Sequence, residues 1–224
     1  MKTIPKLLVF AVVEFVVFGS MLFFPAGTFN YWQAWVFLVV VALSAWIPTI
    51  YLLRTNPVVL ERRMRGGPAA ETRMAQKVVI AGLYLSLAAM VVVSVLDQRF
   101  GWSPVPPGVC LFGDVLVAVG LGVVAVVIIQ NSYAAATVQV QAGQKVVSNG
   151  LYGLVRHPMY TGNVIMMVGI PLALGSYWGL VFVVPGLIVL ASRIRDEEKL
   201  LREELKGYRE YTQKVRYRLV PCMW

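Results

Sequence analysis

The sequence predicts an all-α, polytopic integral membrane protein with about six transmembrane helices, a C-terminal cytosolic helix and both termini in the cytoplasm. Three observations carry this reading. Hydrophobic residues make up 58% of the chain and charged residues only 14%, where a soluble domain carries about 25% charged residues, and the mean hydropathy is +0.72. Several apolar runs approach the roughly 20 residues that a helix needs to cross a hydrocarbon core of about 30 Å. The basic residues, Arg99 excepted, gather at alternate connections and at the two ends of the chain.

The apolar segments lie near 7–26, 31–53, 77–97, 109–130, 158–175 and 177–194. The first follows two lysines and could pass for a secretory signal. Glu14 in its middle and the absence of a small-x-small cleavage site make it a retained helix. The connection at 54–76 is charged and contains Gly66-Gly67-Pro68. The connection at 98–108 is rich in the turn formers Gly101, Pro104, Pro106, Pro107 and Gly108. Residues 131–157 are polar but uncharged until Lys145. The last two apolar segments are short, and Gly175-Ser176 between them predicts a tight helical hairpin. From Ile194 the chain is polar and helix-prone, which predicts a C-terminal helix over 195–215. Leu200, Leu201, Leu205 and Tyr208 mark its apolar face. The whole reads as one membrane domain, with four spans in 1–130 and a hairpin-plus-tail half in 131–224.

With both termini inside, nineteen of the twenty Lys and Arg residues fall on the cytoplasmic side and only Arg99 outside. That asymmetry is what the positive-inside rule demands. The net charge of +9 is therefore accounted for by topology and contact with membrane lipids. No separate basic domain exists to bind nucleic acid. Cys110 and Cys222 fall on opposite sides of the membrane in this topology, so no disulfide joins them, and no zinc or redox spacing is present.

The chemistry concentrates in GLYGLVRHPMYTGN, residues 150–163, which holds the single histidine, His157. Pro158 suits the first turn of a helix, where its missing N–H costs nothing. The free N–H groups and dipole of that turn favour an anionic group. Arg156 adds a permanently charged donor fork, His157 a donor or acceptor, and Tyr160 a phenol one turn further in. These residues read either as a polar ligand pocket at the membrane boundary or as a basic interfacial cap. A second cluster, Arg193-Ile194-Arg195-Asp196-Glu197-Glu198, returns to the same membrane depth through the hairpin. Arg193 and Glu197, four apart, share a helix face. They are either an ordinary surface pair or an acceptor-holding cation beside a ligand-holding carboxylate.

Together, GLYGLVRHPMYTG, the arginine–acid-acid element and the Gly-Tyr-x-x-Tyr of the tail resemble the isoprenylcysteine carboxyl methyltransferase family. The broader group includes the membrane phospholipid N-methyltransferases. The resemblance is strongest over about residues 137–221, and Asn56–Arg62 is similar to a feature of shorter prokaryotic members. It implies S-adenosylmethionine held on the cytosolic side by Gln144, Lys145, Val146, Val147, Tyr152, His157, Pro158, Met159, Tyr160 and Glu197. Arg193 is implied as the substrate-side residue, and Arg193 and Glu197 as the catalytic pair. Members often carry a histidine where this chain has Gln144. A cofactor-contacting glutamine of some members corresponds here to Thr137 or Gln139. The acceptor implied is lipophilic and enters from the bilayer, with a prenylcysteine carboxylate first and a phospholipid amine as the alternative. Membrane sterol reductases, which use NADPH, are similar in an Arg-His-Pro-x-Tyr element and in Tyr217–Pro221, and form a third reading. Their greater length and span number argue against it.

Gly120-Leu121-Gly122 resembles a glycine pair of the phospholipid methyltransferases. It reads first as helix packing and second as a cofactor contact. Glu14 either lines an acceptor tunnel or hydrogen-bonds a neighbouring helix. Asp114 lies nearer the outer surface and reads as structural. A transporter or scaffold is disfavoured, because polarity gathers at one membrane face rather than at mid-bilayer.

Overall fold

Apolar runs bounded by Pro, Gly and charged residues leave the chain one economical choice, since backbone polar groups inside a bilayer must pair within their own helix. A computed structural model describes residues 3–65, 71, 73–133, 140 and 143–224. Among these, eight helices follow in order: α1 (Thr3–Ala26), α2 (Trp32–Thr55), α3 (Pro57–Arg65), α4 (Met74–Phe100), α5 (Pro107–Gln130), α6 (Pro158–Ala173), α7 (Val183–Glu204) and α8 (Tyr208–Lys214). No strand occurs among the described residues. The polytopic all-α expectation holds.

Of the six apolar segments read from the sequence, five form long helices and one a shorter helix. Among the described residues, five helical stretches are long and apolar enough to cross a membrane: Leu7–Ala26, Trp32–Thr55, Gln76–Phe100, Pro107–Gln130 and Trp178–Glu204. The other apolar segment forms α6, with only 16 residues, or about 24 Å at 1.5 Å per residue. Arg156-His157-Pro158 fixes where α6 begins. At its far end Gly175 takes φ +75°, a left-handed conformation that glycine adopts without strain, and the chain turns back. A 3-10 turn, Trp178–Phe182, leads into α7. The predicted hairpin is therefore present, with a short first arm.

The continuous C-terminal helix expected over 195–215 is corrected. α7 runs unbroken from the bilayer segment to Glu204, and the chain then bends at Gly207 (φ +85°) before α8. Leu205, Tyr208, Tyr211 and Val215 form a small apolar cluster with Val140, Val146 and Leu201. The bend lets α8 fold back onto the segment that precedes the Gly-Leu-Tyr-Gly turn.

α5 and α6 form the closest seam. Gly113 and Gly120 on α5 face Gly169 and Gly162 on α6, the members of each pair standing seven positions apart in the chain. A Cβ on Gly120 would sit 2.6 Å from the Gly162 carbonyl oxygen, and one on Gly169 would sit 2.9 Å from that of Gly113. Small residues let two membrane helices approach to backbone contact, and Gly120 serves that role. Gly122, by contrast, faces open space. At the turn end of the hairpin, the fully buried Asp97 of α4 accepts hydrogen bonds from Ser176 (2.5 Å) and Ser103 (2.7 Å), and Tyr31 donates to the Leu174 carbonyl at 2.6 Å. These bonds tie the hairpin turn to α4 and α2. Cys110 is buried, Cys222 is exposed, and both are free thiols.

Candidate functional site

The opposite end of the bundle gathers the polar side chains. The mouth of α6 is held by the tail of the chain. The Arg156 amide donates to the Tyr217 carbonyl and the His157 amide to that of Arg218, both at 2.9 Å. Thr161 Oγ1 donates to the Leu219 carbonyl at 2.7 Å. Pro158 takes the first helical position, as its lack of an N–H favours.

Two adjacent glutamates on α7 then part company. Glu198 is 3% exposed and gathers cations. Arg156 Nε lies 2.9 Å from its Oε1 as an ion pair rather than an aligned hydrogen bond. His157 Nε2 is 3.3 Å from the same oxygen. Arg218 donates through Nε and Nη2 at 3.1 Å each, and Arg202 Nη2 stands at 3.5 Å. A buried carboxylate is tolerable only when so engaged. Glu197, one residue earlier, points the other way and accepts a 2.6 Å hydrogen bond from the Tyr160 hydroxyl. Arg193 Nε donates to that same hydroxyl at 2.8 Å. The two residues that the sequence pairs at four-residue spacing are thus joined through Tyr160.

Arg193 is set from behind by groups that sequence reading did not single out. Gln76, fully buried at the start of α4, accepts from Arg193 Nη1 at 3.1 Å and donates through Nε2 to Asp196. Arg73 holds Asp196 from both guanidinium nitrogens at 2.9 Å. These partners lie about 120 residues away in the chain, so no local motif announces them.

Around this frame lie two cavities of contrasting character. The first is a polar cleft. Gln144, Lys145, Val146, Val147, Tyr152, His157, Pro158, Met159, Tyr160 and Glu197 all line it, so the structure brings together every residue that the resemblance implied on the cofactor side. Arg156 joins them, together with Asn131, Tyr133, Leu201, Leu205, Tyr208 and Tyr211. Asn131 donates to the Tyr152 hydroxyl at 3.0 Å, and the Tyr211 hydroxyl donates to the Tyr152 carbonyl at 2.7 Å. His157 and Tyr160 stack with ring centroids 5.6 Å apart. Burial pushes the Tyr152, Tyr208 and Tyr211 phenols above their ordinary range, and nearby carboxylates add to the shift at Tyr208. All three are neutral hydrogen-bonding groups at neutral pH. Among the described residues the buried Tyr208 hydroxyl has no hydrogen-bond partner. Thr137 and Gln139, the alternative counterparts of a further glutamine, lie outside the described residues.

The second cavity, about 340 Å³, lies between α4, α6 and α7. Its walls are largely apolar, with Leu83, Leu87, Met90, Met166, Met167 and Leu190 among them, and Asn163 and Arg193 as polar members. Met159 and Tyr160 line both cavities. Arg193 therefore faces the apolar chamber, Glu197 faces the polar cleft, and the Tyr160 hydroxyl joins them across the shared wall. Glu14 is in neither. It lines a separate crevice between α1 and α2 with Phe15, Phe18, Leu38 and Trp46.

The fold and site define a helical membrane protein in which a polar cleft and an apolar chamber share one wall. Residues 109–207 match the phospholipid methyltransferase family model, within the broader membrane methyltransferase group that includes the isoprenylcysteine carboxyl methyltransferases. The likeness read from the sequence is borne out over that range. The chain is also 30% identical over 91 residues to the Delta(14)-sterol reductase of Mus musculus, a match covering 39% of this chain and 22% of the relative. It is 34% identical over 86 residues to a probable 7-dehydrocholesterol reductase of Acanthamoeba polyphaga mimivirus, covering 36% of this chain and 19% of the relative. The matches span about a fifth of the length of these curated relatives.

Proposed function

We propose that this protein is an integral membrane S-adenosylmethionine-dependent methyltransferase whose acceptor is lipophilic, with the carboxylate of a prenylcysteine or similar isoprenoid-bearing molecule favoured. The observation that carries the reading is the wall of Met159 and Tyr160 common to a polar cleft and an apolar chamber. Methyl transfer from a water-soluble donor to an oily acceptor needs such a meeting point of two phases.

The residues of the cleft fit the donor. S-adenosylmethionine carries a carboxylate, an ammonium, a ribose and an adenine, and when bound it supplies an electrophilic sulfonium methyl. Arg156 and the first turn of α6 suit the carboxylate. Glu197 suits the ammonium or ribose. Tyr208, with its buried unpartnered hydroxyl, suits a further polar group, and Val146, Val147 and Leu201 form an apolar bed. Tyr208 and Tyr211 of the folded-back α8 line one side of the cleft. The concentration of basic residues at this end of the bundle supports a cytosolic orientation of the cleft.

On the chamber side, Arg193 is fixed by Tyr160 and Gln76. A guanidinium held there attracts an anionic head and disfavours an ammonium. A carboxylate is already ionised at neutral pH and needs no general base, so catalysis rests on orientation and proximity. The phospholipid amine alternative takes support from the family match. It would require a neutral amine beside Glu197 as proton acceptor. The reductase reading takes support from the sterol reductase relatives.

Isothermal titration of the detergent-purified protein with S-adenosylhomocysteine, run beside NADPH, separates the classes. Saturable binding of S-adenosylhomocysteine alone is expected, and binding of NADPH alone would overturn the proposal. Transfer of labelled methyl to N-acetyl-farnesylcysteine rather than to phosphatidylethanolamine then tests the acceptor.

A further inference from the structure

On the far side of Glu198 from the cleft, α7, α8 and the tail enclose an open groove with an unusual charge balance. Arg195, Lys199, Arg202, Arg209 and Arg218 line it, against Glu198 and Glu203. Arg195, Lys199 and Arg202 stand at four- and three-residue spacing, so they form one stripe along α7. Arg209 Nε donates to the Arg202 carbonyl at 3.1 Å, which draws a further guanidinium to the end of that stripe. Glu198 offers the groove little compensation, since its carboxylate is buried and already engaged by Arg156 and His157 as well as by Arg202 and Arg218. The dipole at the end of α7 accounts for cations in its last turn, Arg202 and those beside it. It does not account for Arg195 and Lys199, whereas Arg218 is held by Glu198. Gathering like charges is costly unless an anion joins them.

We propose that this groove is a binding site for a phosphate-bearing anion. Arginine forks and a lysine ammonium are the donors that such an oxyanion calls for. The stripe from Arg195 to Arg202 spans about 10 Å at 1.5 Å per residue, room for one or two phosphates and not for a nucleic-acid strand. The near end of the groove is close to the membrane boundary, because Arg195 follows two residues after Arg193, whose side chain lines the apolar chamber. An anionic lipid can therefore present its phosphate to the groove from the bilayer, and a soluble phosphate can reach it from the aqueous side. The site does not depend on the methyltransferase reading.

The test uses the full-length protein in neutral detergent, followed by its intrinsic fluorescence. The probes are dioctanoyl phosphatidic acid, dioctanoyl phosphatidylcholine and inorganic pyrophosphate. Saturable binding of phosphatidic acid and none of phosphatidylcholine is expected. The double variant Lys199→Gln/Arg209→Gln removes two exposed cations that do not touch Glu198, and is expected to weaken binding about thirtyfold at roughly the usual surface worth of each cation. Lys214→Gln/Arg216→Gln removes the same charge outside the groove and is expected to change it less than about threefold. Displacement of phosphatidic acid by pyrophosphate assigns recognition to the phosphate itself, whatever its carrier. Failure to displace assigns the site to a lipid headgroup. Equal losses in the two double variants, or no saturable binding of any phosphate probe, would overturn the proposal.

Discussion

Glu197 and Glu198 are neighbours in sequence, yet the structure predicts opposite phenotypes for their neutralisation. In Glu198→Gln the carboxylate is replaced by an amide of the same shape, while Arg156, His157, Arg202 and Arg218 remain. The Arg156–Glu198 pair is buried, with side-chain exposures of 6% and 3%. Breaking such a pair costs about 3–5 kcal/mol because a desolvated charge is left uncompensated. Arg218 and Arg202 are 27% and 46% exposed, so water screens their contribution to roughly 0.2–1 kcal/mol each. The amide oxygen recovers part of the hydrogen bonding, which puts the expected loss near 3 kcal/mol. For a chain of this size that corresponds to a fall in Tm of about 6–12 °C. Glu197→Gln keeps an acceptor for the Tyr160 hydroxyl at a half-buried position and is expected to cost about 1 kcal/mol, while weakening S-adenosylhomocysteine binding about tenfold or more. Thermal unfolding followed by tryptophan fluorescence, with titration of both variants, reads the two effects. A Tm for Glu198→Gln within 2 °C of wild type would refute the view that this carboxylate holds the mouth of α6 together.

Tyr160→Phe removes the hydroxyl that joins Arg193 to Glu197; kcat for methyl transfer is expected to fall about tenfold to a hundredfold, with S-adenosylhomocysteine affinity within about threefold, as steady-state kinetics and titration would show. Gln76→Leu removes the acceptor of the Arg193 Nη1 hydrogen bond and loosens Asp196. The acceptor KM is expected to rise about tenfold through the loss of a buried charge-assisted bond, and Gln76→Glu, which keeps an acceptor for Arg193, is expected to recover part of it. Gly120→Ala drives a methyl into the Gly162 carbonyl and is expected to destabilise by about 1–3 kcal/mol. Gly122→Ala meets open space and is expected to be neutral or to stabilise by up to about 1 kcal/mol; unfolding midpoints compare the pair.

The helices were legible because length and apolarity decide membrane spans with little help from tertiary context. Where the reading failed, the deciding residues were single ones. Gly207 is one of nineteen glycines, and nothing nearby in sequence marks it as the bend between α7 and α8. The shortness of α6 follows from its two ends, Pro158 and the Gly175 turn, rather than from its composition. On the cleft side, the predicted residues lie in two contiguous stretches plus Tyr152 and Glu197, so a resemblance to a family motif could transfer them together. Gln76, Asn131 and Tyr208 lie outside those stretches, and Gln76 meets Arg193 only after α4 and α7 pack. The four-residue spacing from Arg193 singles out Glu197, but nothing in the sequence shows that Glu198 is buried among arginines. A single step of about 100° around the helix turns one toward Tyr160 and the other toward the arginines.

The glycine seam between α5 and α6 has a mechanical consequence. With backbones in contact at Gly113–Gly169 and Gly120–Gly162, α6 has no slack on that flank and acts as a fixed post. Any widening of the chamber to admit the acceptor proposed above must then be borne by its other two walls, α4 and α7. The guanidinium of Arg193 rides on one of them, and its hydrogen-bond partner Gln76 rides on the other. Admission of the acceptor would therefore stretch the bond that aims the arginine, and re-closure would restore that aim only after the guest is seated.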